Sequence, residues 1–138
     1  MTERDRIARK LAELEQFAVK LHAIPITDEK HYHSLDYITK AAVERHLQLI
    51  SDTELDVLAL VNKHLGLGVP GDDNSILTRL EGKFRKDTIA ALRERRRLRN
   101  ALIHAYPIGE YDRDVYVQAT DLTDITKFAT EVGKLLED

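Results

Sequence analysis

Apolar residues recur along the chain at the spacing of helices. Ile7, Leu11, Leu14, Ala18 and Leu21 fall three or four apart, the signature of one buried helical face. Thr2 stands where an N-cap would, and Pro25 stops the pattern. A second, longer helical stretch begins between Asp28 and Ser34. It carries Val43, Leu47, Ile50, Val57, Leu58, Val61 and Leu65 on one face and ends at the Gly66 and Gly68 pair. GVPGDDN reads as a loop from its Gly, Pro, Asp and Asn content. Asn74 or Asp73 can cap a short helix through Leu80, which Gly82 interrupts, and a further helix is predicted from about Lys86 to His104. After a turn-rich stretch through Gly109, VYVQA suggests a brief extended piece. Asp121 then caps a final helix that uses Leu122, Ile125, Phe128, Val132 and Leu135. No long alternating pattern competes, so the expected fold class is all-α, an up-and-down bundle of four to five helices.

Length and composition narrow the picture. A chain of 138 residues is expected to form one domain spanning 1–138. With 43% apolar and 33% charged residues and no apolar run near the roughly 20 residues that span a bilayer, no membrane association is expected. The charged N-terminus lacks the form of a secretory signal, and there is no cysteine. A cytoplasmic location without disulfides or thiolate metal sites is therefore the expectation.

Charge changes the picture through its distribution. The net charge is -3, yet Arg79 to Arg99 holds nine Lys or Arg against three Asp or Glu, leaving about -9 on the rest of the chain. Local basic patches, not totals, attract phosphate, although a solvated charged helix face accounts for the same residues. At 100° per residue, Arg93, Arg97, Asn100 and His104 form one polar stripe. Leu98 and Leu102 with Ala91 form one apolar stripe, and Ile89, Leu92 and Ile103 another. A helix apolar on two sides is usually buried on two sides, which points to a homodimer.

Histidine exchanges protons near neutral pH, and a guanidinium neutralises charge building on phosphate oxygens. Together they suffice for RNA cleavage by attack of the 2′-hydroxyl, with no metal or cofactor. The same His104 also suits a purely structural place at a helix C-terminus, where a cation is favourable. Elsewhere, His31 and His33 form an HxH pair that binds zinc only if further ligands converge. Glu44 and Arg45 suggest a buried or interfacial ion pair, with a part in the cleft as the alternative. Glu54 falls on the apolar stripe and is expected to face a polar seam or a partner. Tyr111 and Tyr116 suit base stacking or, more commonly, packing.

The string RNALIHAY, Arg99 to Tyr106, resembles the signature of HEPN-family ribonucleases of the HepT branch, in which Arg, a polar residue, a spacer and His are followed two positions on by Tyr. AVERHLQLISDTELDVLALVNKHLG, SILTRLEGKF and YPIGEYDRDVY resemble that family's second long helix, short third helix and post-motif turn. Leu98 stands where many relatives carry an aromatic residue. The resemblance implies a HEPN helical bundle that dimerises through the motif-bearing helix and cleaves RNA without metal, as the toxin of a toxin-antitoxin system. Its partner would be a minimal nucleotidyltransferase antitoxin, MntA-like, that transfers AMP to the motif tyrosine. By position, Arg99 would steady the transition state, Asn100 would orient, His104 would be the acid/base group and Tyr106 the modified residue. Arg93, Arg96 and Arg97 would extend the groove along RNA backbone. The alternative is a non-catalytic HEPN adaptor that binds a nucleotidyltransferase or RNA without cleaving it.

Overall fold

A computed structural model describes residues 1–68, 71–104 and 107–137. Among them the chain forms seven α-helices and no strand. They are α1 (Glu3–His22), α2 (Glu29–Ser34), α3 (Tyr37–His64), α4 (Asp73–Leu80), α5 (Lys86–Ile103), α6 (Asp112–Thr120) and α7 (Thr123–Leu136), with a 3-10 turn at Glu81–Lys83. The all-α class is as expected, but four long helices are joined by three short ones, a finer division than four or five.

Helix α1 starts where Thr2 and Asp5 exchange hydrogen bonds in a capping box. Its fully buried Ile7, Leu14 and Leu21 are seven residues apart. That seam lies along α3, whose Val43, Leu47, Ile50, Val57, Leu58 and Val61 form the middle of the core. The long stretch expected from Asp28 onward is divided. Asp28 caps α2, Leu35 is extended, and Asp36 caps α3 by accepting the Thr39 N–H at 2.7 Å. At the other end of α3, Gly66 has φ +67, and the Leu67 N–H bonds the Asn62 carbonyl at 3.1 Å. This is the Schellman ending that a glycine permits.

Three sequence expectations are corrected. Asp72, not Asn74 or Asp73, caps α4, accepting the Ser75 N–H at 2.8 Å. VYVQA is helical, not extended: it lies within α6, where Val115 and Ala119, four apart, are both buried. Burial at i and i+4 outweighs the strand preference of the two valines. The N-cap of α7 is Leu122, not Asp121, and it makes no side-chain cap bond; Asp121, one residue earlier, accepts from the backbone N–H and hydroxyl of Thr123.

Helix α5 has no side-chain cap of its own. Glu131 of α7 supplies one, accepting the Arg85 N–H at 2.7 Å and the Thr88 hydroxyl. Phe84 stacks on Phe128 beside this junction, ring centroids 5.7 Å apart. The start of the arginine-bearing helix is therefore fixed by α7 and its flank by α3.

Candidate functional site

The arginine run occupies the second half of α5, and helix packing gives each arginine a different environment. Arg95 is inside the protein. Its Nε bonds Glu54 Oε1 at 2.7 Å, its Nη2 lies 3.3 Å from Glu54 Oε2, and it also pairs with Asp124. Burial alone would lower the pKa of this guanidinium, but the Glu54 and Asp124 carboxylates outweigh it and raise the pKa. Glu54 thus faces the polar seam that its place on the apolar stripe suggests.

Arg93, Arg96, Arg97 and Asn100 line one cleft of about 500 Å³, opposite Asp72, Asp73, Asn74 and Leu77. The cleft is mixed in charge, not simply basic. Arg93 donates to Asn74 Oδ1 at 3.0 Å and lies 3.7 Å from Glu81; Arg96 pairs with Asp73, and Arg97 with Glu94. The local excess of cation is thus answered by carboxylates, most of them brought from other helices. The Arg97–Glu94 pair is solvent-exposed, and such pairs contribute about 0–1 kcal/mol, so a phosphate can exchange with it at small cost, whereas Arg96–Asp73 is partly buried.

Arg99 projects toward α3 instead, where its Nε donates to Asp52 Oδ1 at 2.8 Å. Asp52 also lies 3.9 Å from Arg96. Asn100 is exposed, with its Oδ1 3.4 Å from an Arg99 nitrogen. His104 is exposed and caps α5 with extended backbone, φ -74 and ψ 164. Helix α5 ends at Ile103, and the extended ψ of the C-cap His104 turns the chain that follows it off the helical path. Neither Arg99 nor His104 lines the arginine cleft. Tyr106, the expected modification site, lies outside the described residues.

The two-stripe reading of α5 also changes. Ile89, Leu92 and Leu98 are all buried in the core of the single chain, whereas Ile103 is 49% exposed. Leu92 is therefore a folding residue, and Ile103 alone of that set offers apolar surface beside the motif.

The remaining candidates separate. His31 accepts the Thr27 N–H at Nδ1, while His33 Nδ1 is 3.1 Å from Asp112. The two imidazoles have different partners, and among the described residues no three His, Cys, Asp or Glu side chains converge as metal ligands. Glu44 and Arg45 are not an ion pair: Glu44 is buried and accepts the Gly109 N–H at 3.0 Å, while exposed Arg45 reaches Gln48. Tyr111 and Tyr116 are half-buried against the core. No described helix is long and apolar enough to cross a membrane. Sequence reasoning missed Asp52 and Asp73, whose roles depend on arginines 47 and 23 positions away.

The family model for HepT-like ribonucleases, described as "Ribonuclease HepT-like", matches residues 7–132. The chain belongs to the HepT-like family. Arg99, Asn100, His104 and Tyr106 all lie within the matched span. Among solved structures, a chain from a crystal structure of a toxin-antitoxin with AMP-PNP shares the HepT-like fold with a TM-score of 0.79. That match has 21% identity and covers 96% of this chain and 99% of the other. No curated protein sequence matches the chain.

Proposed function

We propose that this HepT-like protein is the endoribonuclease toxin of a toxin-antitoxin system. The observation that carries the reading is that Arg99 and Asn100 on the last turn of α5 and His104 at its C-cap stand in a chain of a ribonuclease family. In the proposed reaction an RNA 2′-hydroxyl attacks the adjacent phosphorus and the bond to the 5′-oxygen breaks. The products are a 2′,3′-cyclic phosphate and a 5′-hydroxyl. His104 takes or gives the proton, and Asn100 orients the imidazole or a phosphate oxygen. Arg99 neutralises the charge that builds on the phosphorane oxygens, exchanging Asp52 for phosphate. Arg93, Arg96 and Arg97 track the RNA backbone once their carboxylate partners are displaced. No step calls for a metal. Purified protein is expected to cut RNA in the presence of EDTA and leave cyclic phosphate ends, read by mass spectrometry of the fragments. Strict dependence on a divalent cation would overturn this mechanism.

One histidine cannot be acid and base at once, so the proposal includes a homodimer that faces two motifs across one cleft. Exposed Ile103 beside His104 supports an interface there. Sedimentation is expected to show two copies per particle and Ile103→Glu to give a folded monomer, whereas Leu92→Glu, in the core, is expected to unfold the chain. A monomeric wild-type protein would count against the two-chain cleft.

Neutralisation is proposed to come from a minimal nucleotidyltransferase antitoxin, MntA-like. The Tyr106 phenol attacks the α-phosphorus of ATP and pyrophosphate leaves, placing an anion and a base two positions along the chain from His104. The solved toxin-antitoxin with AMP-PNP supports such a partner. Co-expression is expected to add adenylyl mass at Tyr106 and silence the ribonuclease, while Tyr106→Phe stays active and unmodified. Neutralisation without any adenylyl group on Tyr106 would replace this mechanism by simple occlusion.

A second reading is a non-catalytic adaptor that binds a nucleotidyltransferase or RNA. The carboxylate partners of Arg96 and Arg97 and the amide partner of Arg93 favour it, because they reduce the free cation facing RNA. Absence of any cleavage by the wild-type dimer would select it.

A further inference from the structure

Lys40, Glu44 and Asp52 are four and eight residues apart on α3, so they follow one another along that helix while winding about 40° around it for every four residues. Each holds a different part of the segment that bears the motif. Asp52 bonds Arg99 at 2.8 Å, Glu44 accepts the Gly109 N–H at 3.0 Å, and Lys40 Nζ reaches Asp112 Oδ2 at 2.7 Å. Arg99, before His104, and Gly109 and Asp112, after it, are thereby each tied to the same helix.

The Gly109 contact has a specific local cause. The Glu110 N–H bonds the Pro107 carbonyl at 3.2 Å, closing a β-turn, and Gly109 within it has φ +96. Positive φ at the third position of a turn is the type II pattern that favours glycine. The N–H of that residue is not the one that closes the turn, so it needs an outside acceptor, and Glu44 is that acceptor. The carboxylate is buried, with Asp112 and Lys40 close enough to act on it. Burial pushes Glu44 above the usual glutamate range, the Gly109 N–H lowers it, and Asp112 raises it further. A carboxylate kept at that cost is well placed as a fixed acceptor. Asp112 is itself held at α6 by Lys40 and by His33 of α2, whose Nδ1 lies 3.1 Å away.

We propose that Glu44 is a positioning residue for cleavage: through Gly109 it sets the path of the post-motif turn and hence the place of His104 relative to Arg99, which Asp52 anchors to the same helix. The proposal rests on the ribonuclease reading. It commits Glu44 to acting through the turn and not through contact with RNA, and it makes Gly109 part of the same device.

The test compares Glu44→Ala, Glu44→Gln and Gly109→Ala in steady-state RNA cleavage, with hydrogen exchange of the backbone amide at position 109 followed in each. Misplacing a reacting group by about 1 Å costs on the order of 100-fold. Glu44→Ala is therefore expected to lower kcat by about 10- to 100-fold with KM near wild type, and to speed exchange of the Gly109 amide. Glu44→Gln, whose amide oxygen still accepts that N–H, is expected to keep kcat and slow exchange. Gly109→Ala, strained at positive φ with its added methyl against Asp112 and Lys40, is expected to lose kcat as Glu44→Ala does. If Glu44→Ala fails to fold, Gly109→Ala and Glu44→Gln decide by the same criteria. A wild-type kcat in Glu44→Ala or Gly109→Ala, with the amide exchanging faster, overturns the positioning role and leaves the ribonuclease reading standing. Absence of cleavage by the wild-type protein overturns that reading first and the positioning role with it.

Discussion

His104→Ala is expected to abolish RNA cleavage while leaving the fold intact. The imidazole is exposed at the helix cap, and the cap's described backbone bond, from the His104 N–H to the Ala101 carbonyl at 3.4 Å, is one that alanine retains. Losing a general acid or base typically lowers the rate by roughly 100- to 10,000-fold. Arg99→Ala removes the charge that meets the phosphorane and is expected to cost about 100- to 1,000-fold in kcat. Arg99→Lys should recover little, because a point charge cannot hold the Asp52 carboxylate and a phosphate with the planar fork of a guanidinium. Both losses are read as kcat in the EDTA assay, with circular dichroism and thermal unfolding compared to wild type. A wild-type rate in His104→Ala would remove that residue from the chemistry, and the same outcome in Arg99→Ala would remove Arg99.

The largest effect on stability is expected two turns and more away from His104, at Arg95. Its guanidinium joins α3 through Glu54 and α7 through Asp124, and both Arg95 and Glu54 are almost wholly buried. Arg95→Met would leave the Glu54 carboxylate without its partner, at an expected cost of about 3–5 kcal/mol. Arg95→Met with Glu54→Leu should recover most of that loss, since replacing both members of a buried pair by apolar residues of similar volume is often neutral or stabilising. Asp124, more exposed than the other two, can turn to water. Urea unfolding with an unchanged slope would measure the change as a shift in midpoint. A loss below about 1 kcal/mol would place this network among ordinary surface pairs. Arg95 and His104 belong to the same arginine-rich string, yet they are expected to separate cleanly: one variant folds and is inactive, the other is limited by folding.

Helix positions were legible in the apolar pattern, because burial repeats with the helix itself. Ile7, Leu14 and Leu21, and the α3 series from Val43 to Val61, are the residues that the structure buries. Thr2 was legible as a cap because its partner is three residues away. VYVQA misled because two valines flanking a tyrosine look alike in a strand and in a helix, and only packing through Val115 and Ala119 distinguishes them. The motif string could be read for the same reason as the cap: Arg99, Asn100 and His104 lie within six positions.

The sequence by itself determined that the chain is helical, where its long helices run, and which short string carries the candidate chemistry, since each depends on neighbours within one or two helical turns. Only the tertiary structure decided what the arginines face. Arg96 finds Asp73, Arg95 finds Asp124 and Glu54, and Arg99 finds Asp52, across 23, 29, 41 and 47 positions. The same packing put Leu92 in the core, left Ile103 exposed, and gave the Gly109 N–H its acceptor in Glu44, 65 positions away. Charge pairing and burial at such separations follow from how α3, α4, α5 and α7 dock, and local periodicity carries no information about the angle or register at which two helices meet.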